Sequence, residues 1–429
     1  MYMRNQLLEV KRFLRTILLG VLPLLFLATL SLGEEMRIKV PSYEGAELAK
    51  VREWEKTWVG KKIDKTNVDQ VKDLLLEPHV RIIKDPMYMN AKEYWFVIVP
   101  YQEAPYSKGQ MEMTQKYAPA KFNEDRLVDY GKIAGFPFPE PKSGIEVAYN
   151  YDAQTRGDAR WWYSIGSVVD PKTGFTRAAE MYRMAMYWTG RCFTPPYPVL
   201  PNNPKGFRRT YFQRMKVPED LNGMGNLDVK YTDANTEDER WTYMPNFRRI
   251  TRTSQTQRGD NLGSGERIND DIDGGWGDKV ERNTYKLLGR RELLVGRHSD
   301  PKQLTWPGKN SCVWNGIQRE RVKTFEVEVT YKKKGYTYSK QIWYVDPEIW
   351  IINSKMCWDE DGRLWRVHDE QWYPNKTVTG EVAFTESSSM HWDVFGRNGD
   401  LTWTDQTKDV GKVYPASKFT INSLQKESY

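Results

Sequence analysis

Residues 325–331 read Phe-Glu-Val-Glu-Val-Thr-Tyr, and this heptapeptide decides the fold class. Phe325, Val327, Val329 and Tyr331 alternate with Glu326, Glu328 and Thr330. A period of two is that of a strand with one buried face. Residues 332–335 turn the chain, 336–345 run as a second strand, and Asp346-Pro347 punctuates it. Residues 349–358 make a third strand and 363–372 a fourth, across the tight turn Asp359-Glu360-Asp361-Gly362. Residues 390–395 and 401–404 flank Arg397-Asn398-Gly399 as a further pair. Successive strands joined by tight turns pair antiparallel as a meander.

Upstream, residues 207–215, 227–232, 240–244 and 248–253 read as earlier strands of the same sheet. Residues 174–188 have helix-favouring composition, yet Tyr182, Met184, Met186 and Trp188 alternate, and we read a strand. Residues 43–59 carry Leu48, Val51 and Trp58 at helical spacing; a second helix is expected over 68–77, capped by Asn67 and ended by Pro78. From there to Pro141 the chain is rich in Pro and Tyr, with one strand at 94–99. The expected fold is mainly β: a large curled antiparallel sheet, an open half-barrel, because flat sheets of many strands are unusual. The few amino-terminal helices are expected to cover its concave face. With no linker dividing the chain, residues 34–429 read as one β-rich domain with an extended Pro/Tyr-rich portion over 34–130.

The amino terminus assigns a compartment. Arg4, Lys11, Arg12 and Arg15 precede an uncharged apolar run over 17–32, and Ser31 and Gly33 are small residues just before Glu34-Glu35. This is the layout of a secretory signal peptide over residues 1–33, so the expected location is the periplasm or the outer-membrane periphery. An uncleaved anchor is the alternative. Losing those residues lowers the formal charge from +7 to +4, since four basic groups and one acid go with them. Lys and Arg are interleaved with Asp and Glu, so no basic face for nucleic acid is expected. Three cysteines, Cys192, Cys312 and Cys357, suit neither a metal knuckle nor a disulfide scaffold, although one pair could bond in an oxidising compartment. Four histidines without close spacing argue against a zinc cage, and no cofactor is expected.

Four landmarks occur in order: Ala134-Gly135-Phe136-Pro137-Phe138-Pro139; Met244-Pro245 leading into Arg248-Arg249-Ile250-Thr251-Arg252; Asp270-Asp271-Ile272-Asp273; and Tyr344-Val345-Asp346-Pro347-Glu348-Ile349-Trp350, followed by Asp361-Gly362-Arg363-Leu364-Trp365. In that order the chain resembles the Gram-negative envelope family catalogued as domain of unknown function 1329, over residues 130–372. Residues before 130 depart from the pattern. The resemblance implies an architecture like that of the LolA/LolB lipoprotein carriers and, as partner, an envelope transporter of the resistance-nodulation-division type. It brings no catalytic residues.

Several constellations are candidates for chemistry. Arg248, Arg249 and Arg252 suit an anionic head group; the plainer expectation is that they pair with the acidic turn that follows. Asn269, Asp271 and Asp273 stand at calcium-loop spacing, but Val280 occupies the place of the bidentate glutamate, so the match fails at its strongest ligand. Trp343, Tyr344, Trp350 and Trp365 are the aromatics expected on the sheet or a cavity wall. Nucleophile elbows and phosphate-cradling loops are absent from the sequence. The expected function is therefore non-enzymatic: a binding or carrier protein for a lipid or other hydrophobic molecule, with peripheral membrane contact. The 17 Trp and 25 Tyr keep a carbohydrate-binding or carbohydrate-active protein in view as one alternative. A structural partner in an envelope complex is the other.

Overall fold

The computed structural model describes residues 37–170, 175–203, 205–253, 258–260, 267–272, 274–308 and 310–426. The described residues from Lys39 onward form one compact unit. The signal-peptide reading falls outside the described residues.

Two meanders build the sheet. The first comprises β5 (Ala159–Asp170), β6 (Phe175–Tyr187), β7 (Phe207–Val217), β8 (Gly225–Tyr231), β9 (Glu239–Met244) and β10 (Arg249–Thr253). The second comprises β11 (Asn283–Val295), β12 (Ile317–Tyr331), β13 (Lys340–Val345), β14 (Ile352–Trp358), β15 (Leu364–Lys376), β16 (Val382–Asp393) and β17 (Asn398–Lys408). The last strand, β17, pairs antiparallel with β5 and joins the two. Short β1 (Lys62–Ile63) and β2 (Phe96–Ile98) complete a 15-stranded sheet, while β3 (Phe122–Asn123) and β4 (Arg126–Leu127) form a separate hairpin. The strand β2 runs parallel to β12, so the sheet is mixed rather than wholly antiparallel, and it is not closed into a barrel.

Residues directly opposite one another share a face, so the register defines both sides of the sheet. One row runs Val327, Trp343, Lys355, His368, His391, Asp400, Val168 and Arg177 across eight adjacent strands. We call this the first face. Helix α4 (Gly144–Ala153) packs on it through Val147, Ala148 and Tyr151, against Val327, Trp343 and Ile352. Gly144 permits this: a Cβ there would stand 2.8 Å from the Tyr285 carbonyl carbon.

The second face carries Val367, Met390, Trp392, Leu401 and Val169, packed with Ile63, Val68, Leu75, Ile82, Ile83, Tyr94 and Phe96. The amino-terminal segment carries α1 (Gly45–Trp58), α2 (Glu77–Lys84) and α3 (Lys108–Tyr117). Apolar side chains of residues 63–98 pack on this second face, whose row is apolar where the first is polar. The reading of Pro78 is corrected. This residue sits in the first turn of α2, where its missing N–H costs no hydrogen bond, and residues 68–70 and 72–74 are single 3-10 turns. The short α5 (Ile421–Lys426) closes the chain against β8 and β9, with Leu424 in the core.

Within residues 174–188, Phe175–Tyr187 are a strand, as their alternation indicated. Two of the long strands are missing from the sequence reading, β5 and β11, as are the two-residue strands β1, β3 and β4. The run Lys286-Leu287-Leu288-Gly289-Arg290-Arg291-Glu292-Leu293-Leu294 has no clean alternation, and only its pairing along β12 extends it. Cys192, Cys312 and Cys357 are all buried and unbonded, so no cysteine pair forms a disulfide.

Candidate functional site

Over β5–β8 the first face lines a cavity of ≈ 510 Å³. The strands that line it present alternate residues to it: Trp162, Gly166 and Val168 from β5, Ala179, Met181 and Arg183 from β6, Tyr211, Gln213 and Met215 from β7. Gly166 stands opposite both Ala179 and Thr402, so three small side chains meet where the space opens. Leu221 and Met224, from the β7–β8 connection, and Ile272 complete an apolar, methionine-rich lining. Thioether side chains adapt to irregular ligands better than branched ones do.

Beside this apolar part lies a buried charge network. His391 Nδ1 is 2.8 Å from Asp400 Oδ1, and its Nε2 is 2.8 Å from Glu370 Oε1. Arg267 Nε is 3.2 Å from Asp400, and Lys355 Nζ donates to Asp271 at 2.5 Å. Burial pushes the His391 imidazole down, but Asp400 overrides it and lifts the group to about 9. Glu370 is raised as well, by burial, which its hydrogen bond to His391 only partly offsets. The two shifts pull in opposite senses for one ion pair; two carboxylates on one imidazole hold it protonated, and that direction decides. His368, beside it, is driven well below its ordinary value by burial and by Lys355, so it stays neutral.

His368, Glu370 and His391 bring their ligand atoms within 4.8 Å of one another. Both His391 nitrogens are already engaged by carboxylates, and Lys355, Arg366 and Arg267 surround the neighbouring His368. We therefore read the cluster as a hydrogen-bonded ion network.

The network has a pH signature. A raised His391 contributes stability that is complete below about pH 6.5 and is lost as pH rises through about 9, a span worth roughly 3 kcal/mol. A depressed His368 costs stability as pH falls below its unfolded value. These two groups should place maximal stability near pH 6.5, as urea midpoints across pH 5–10 would show. The His391→Gln variant should flatten the alkaline side, and an unchanged slope would remove His391 as its source.

The residues singled out from sequence fall elsewhere. Arg249 and Arg252 are three apart on a strand and so point to opposite faces. Arg252 pairs with Glu239 at 2.8 Å and lies over Trp241. Arg249 is exposed, and Arg248 occupies a left-handed turn position at φ 47°. Among the described residues none of the three lines the cavity or pairs with Asp270 or Asp271 of the acidic turn. Asp271 binds Lys355 and accepts from Tyr338 Oη, while Asp270 takes Arg258 at 2.7 Å. Asn269 accepts from Arg240 at 2.5 Å; two of the three calcium candidates thus already hold cations, and Asp273 lies outside the described residues.

The four aromatics are not cavity residues either. Trp343, Tyr344 and Trp350 are buried in packed clusters, and Trp365 is half-buried, donating to Asp393 Oδ2 at 2.9 Å. The cavity's own aromatics are Trp162 and Tyr211. Sequence reasoning missed Trp162 along with β5, and did not single out Tyr211 on the strand it read over 207–215. The alternation Arg160, Trp162, Ser164, Gly166, Val168 was the available signal, weakened by its mixture of charge and apolar character.

Among the described residues no helix is long and apolar enough to cross a membrane. An uncharacterized protein of Pseudomonas aeruginosa is similar at 26% identity over 329 residues, covering 72% of this chain and 68% of its own. A Vibrio parahaemolyticus domain named for outer membrane lipoprotein sorting gives a TM-score of 0.49 at 13% identity, over 66% of this chain and 98% of its own. A DUF1329 family protein from Desulfovibrio piger gives 0.47 at 15% identity, over 65% and 99%. The model of the family described as "Protein of unknown function (DUF1329)" matches residues 62–425. That range takes in residues 62–129, part of the segment that the motifs alone had set apart. With most of its length matched from β1 to α5, the chain belongs to the DUF1329 family.

Proposed function

We propose that this protein is a non-enzymatic carrier for an amphipathic or hydrophobic molecule at the bacterial envelope. The observation that supports the reading most is the cavity walled by Trp162, Met181, Met215, Leu221, Met224 and Ile272 on one face of an open sheet. Its volume lies in the range of about 300–1,000 Å³ usual for small-molecule sites. Each methylene buried there contributes about 0.8 kcal/mol, so an acyl chain needs no elaborate polar recognition to bind. Export through residues 1–33, contact with the membrane periphery and exchange of cargo with an envelope transporter are parts of the same proposal.

Fatty acids, phospholipids, sterols and oligosaccharides should be screened against the protein by thermal melting and tryptophan fluorescence. A cargo at a hundredfold excess over its Kd should stabilise the native state by about 2.7 kcal/mol. Trp162 is the cavity's tryptophan, so the fluorescence response should vanish in Trp162→Phe while the melting response stays. Stabilisation by oligosaccharides alone would overturn the lipid reading.

A further inference from the structure

We propose that Arg160 and Arg183 form a head-group site for the carboxylate or phosphate of an anionic amphiphile whose tail occupies the apolar part of the same cavity; this rests on the carrier reading above. Among the described residues five arginines line the cavity: Arg160, Arg177, Arg183, Arg240 and Arg267. Three are neutralised. Arg177 meets Asp220 at 2.8 Å, Arg240 meets Asp228 at 2.7 Å and Arg267 meets Asp400 at 3.2 Å. Among the described residues Arg160 and Arg183 have no such ion pair, although each is only 9% exposed. Arg183 donates to Ser164 Oγ at 3.2 Å and reaches Met181 Sδ at 3.0 Å, and its Nε has no partner. Arg160 has one long contact, 3.4 Å, to the Arg156 carbonyl oxygen.

Buried cations without counter-ions are costly unless something else supplies the charge. The cost shows at Arg160, which burial and then the neighbouring Arg156 pull down to about 10. The lining's other charges do not cancel the pair. Asp400 and Glu370 are held by His391, Asp271 by Lys355 and Asp228 by Arg240. Glu386 acts on Arg160 through space without forming an ion pair.

The geometry suits a single anionic head. Arg183 stands directly opposite Trp162, and Arg160 is two residues along from Trp162, so the two arginines are diagonal neighbours about 7–8 Å apart at Cα. Both guanidinium groups lie over the Trp162 ring, at 4.5 and 6.0 Å from its centroid. Two planar forks at that spacing fit one carboxylate or phosphate. Toward the other end of the same strands come Gly166, Val168, Ala179 and the apolar residues of the β7–β8 connection. From Trp162 to Val168 is about 20 Å of extended strand, room for a medium-length acyl tail.

The test is a chain-matched series, dodecanoate, dodecyl phosphate and dodecanol, with inorganic phosphate as the tail-free control, titrated calorimetrically into the protein and into Arg160→Gln, Arg183→Gln and the double variant. The two anions should bind about tenfold or more tighter than the alcohol. The double variant should bring them down to the alcohol's affinity while leaving the alcohol unchanged. The relative strength of carboxylate and phosphate says which head the site prefers. Dodecanol binding as tightly as both anions would overturn the head-group site while leaving the carrier reading intact, and this comparison needs no variant. Inorganic phosphate binding as tightly as dodecyl phosphate would overturn it too, by removing the tail. Failure of all three amphiphiles would sink the carrier reading itself.

Discussion

The Arg319→Met variant should lose about 3–5 kcal/mol of stability, the usual result of stripping one partner from a buried ion pair. Arg319 lies in the second face and is 1% exposed, as is Asp369. Its guanidinium grips both Asp369 oxygens, Nη1 at 3.3 Å, and also donates to the Leu294 carbonyl oxygen and to Tyr94 Oη. Asp369 accepts further bonds from Gln371 and Ser354, and His79 stands 3.4 Å away. Burial pushes the Asp369 carboxyl up; Arg319 and His79 override it and leave it well below the usual carboxylate range. A depressed carboxyl contributes stability that is present above about pH 4 and lost as pH falls below it, so this site also governs the acid limb. The loss in Arg319→Met should be largely recovered in Arg319→Met/Asp369→Leu, where no orphaned anion remains. Denaturant midpoints of both singles and the double decide it, and a double variant whose loss equals the sum of the two single losses would show that the pair is not coupled.

The Lys355→Met variant should lose a comparable 3–5 kcal/mol, and with it the order of the segment that walls the cavity. Lys355 is fully buried and donates to Asp271 Oδ1 and to the Gly275 carbonyl oxygen, both at 2.5 Å. Asp271 also accepts from Tyr338 Oη at 2.6 Å and from the Ile268 N–H at 2.9 Å. This one ammonium group therefore ties Asp271, and with it Ile268, and Gly275 to the first face. Burial alone would lower the Lys355 pKa, but Asp271 more than compensates and the group stays charged. Without the pin, amide exchange at residues 268–276 should quicken more than at β11–β13, and affinity for any cavity ligand should fall. Unaltered exchange there, with affinity preserved, would mean that the segment is held by its other contacts and that Lys355 only fills the core.

The same two charges show how far sequence reading reaches. The strands around residues 325–376 are legible because Phe325, Val327 and Val329 alternate with charged residues, and that period depends on local chain geometry alone. The Asp359–Gly362 turn, and the pair flanking Arg397-Asn398-Gly399, follow from equally local chemistry. Even the arginine strand carries its own correction, since residues three apart on a strand face opposite ways. What remained hidden needed long-range register. Lys355, His368, His391 and Asp400 come from four strands and form one buried row only because those strands pair in one alignment. Asp271 meets Lys355 across 84 positions of sequence. The cavity itself appears where Gly166, Ala179 and Thr402 coincide on adjacent strands, and their smallness means nothing until they are neighbours. Sequence thus determined most of the second meander, the turns and the family, all set by short-range pattern. The tertiary structure alone decided which face is charged, which arginines are left without a counter-ion and where the space lies, because each depends on pairing between distant residues.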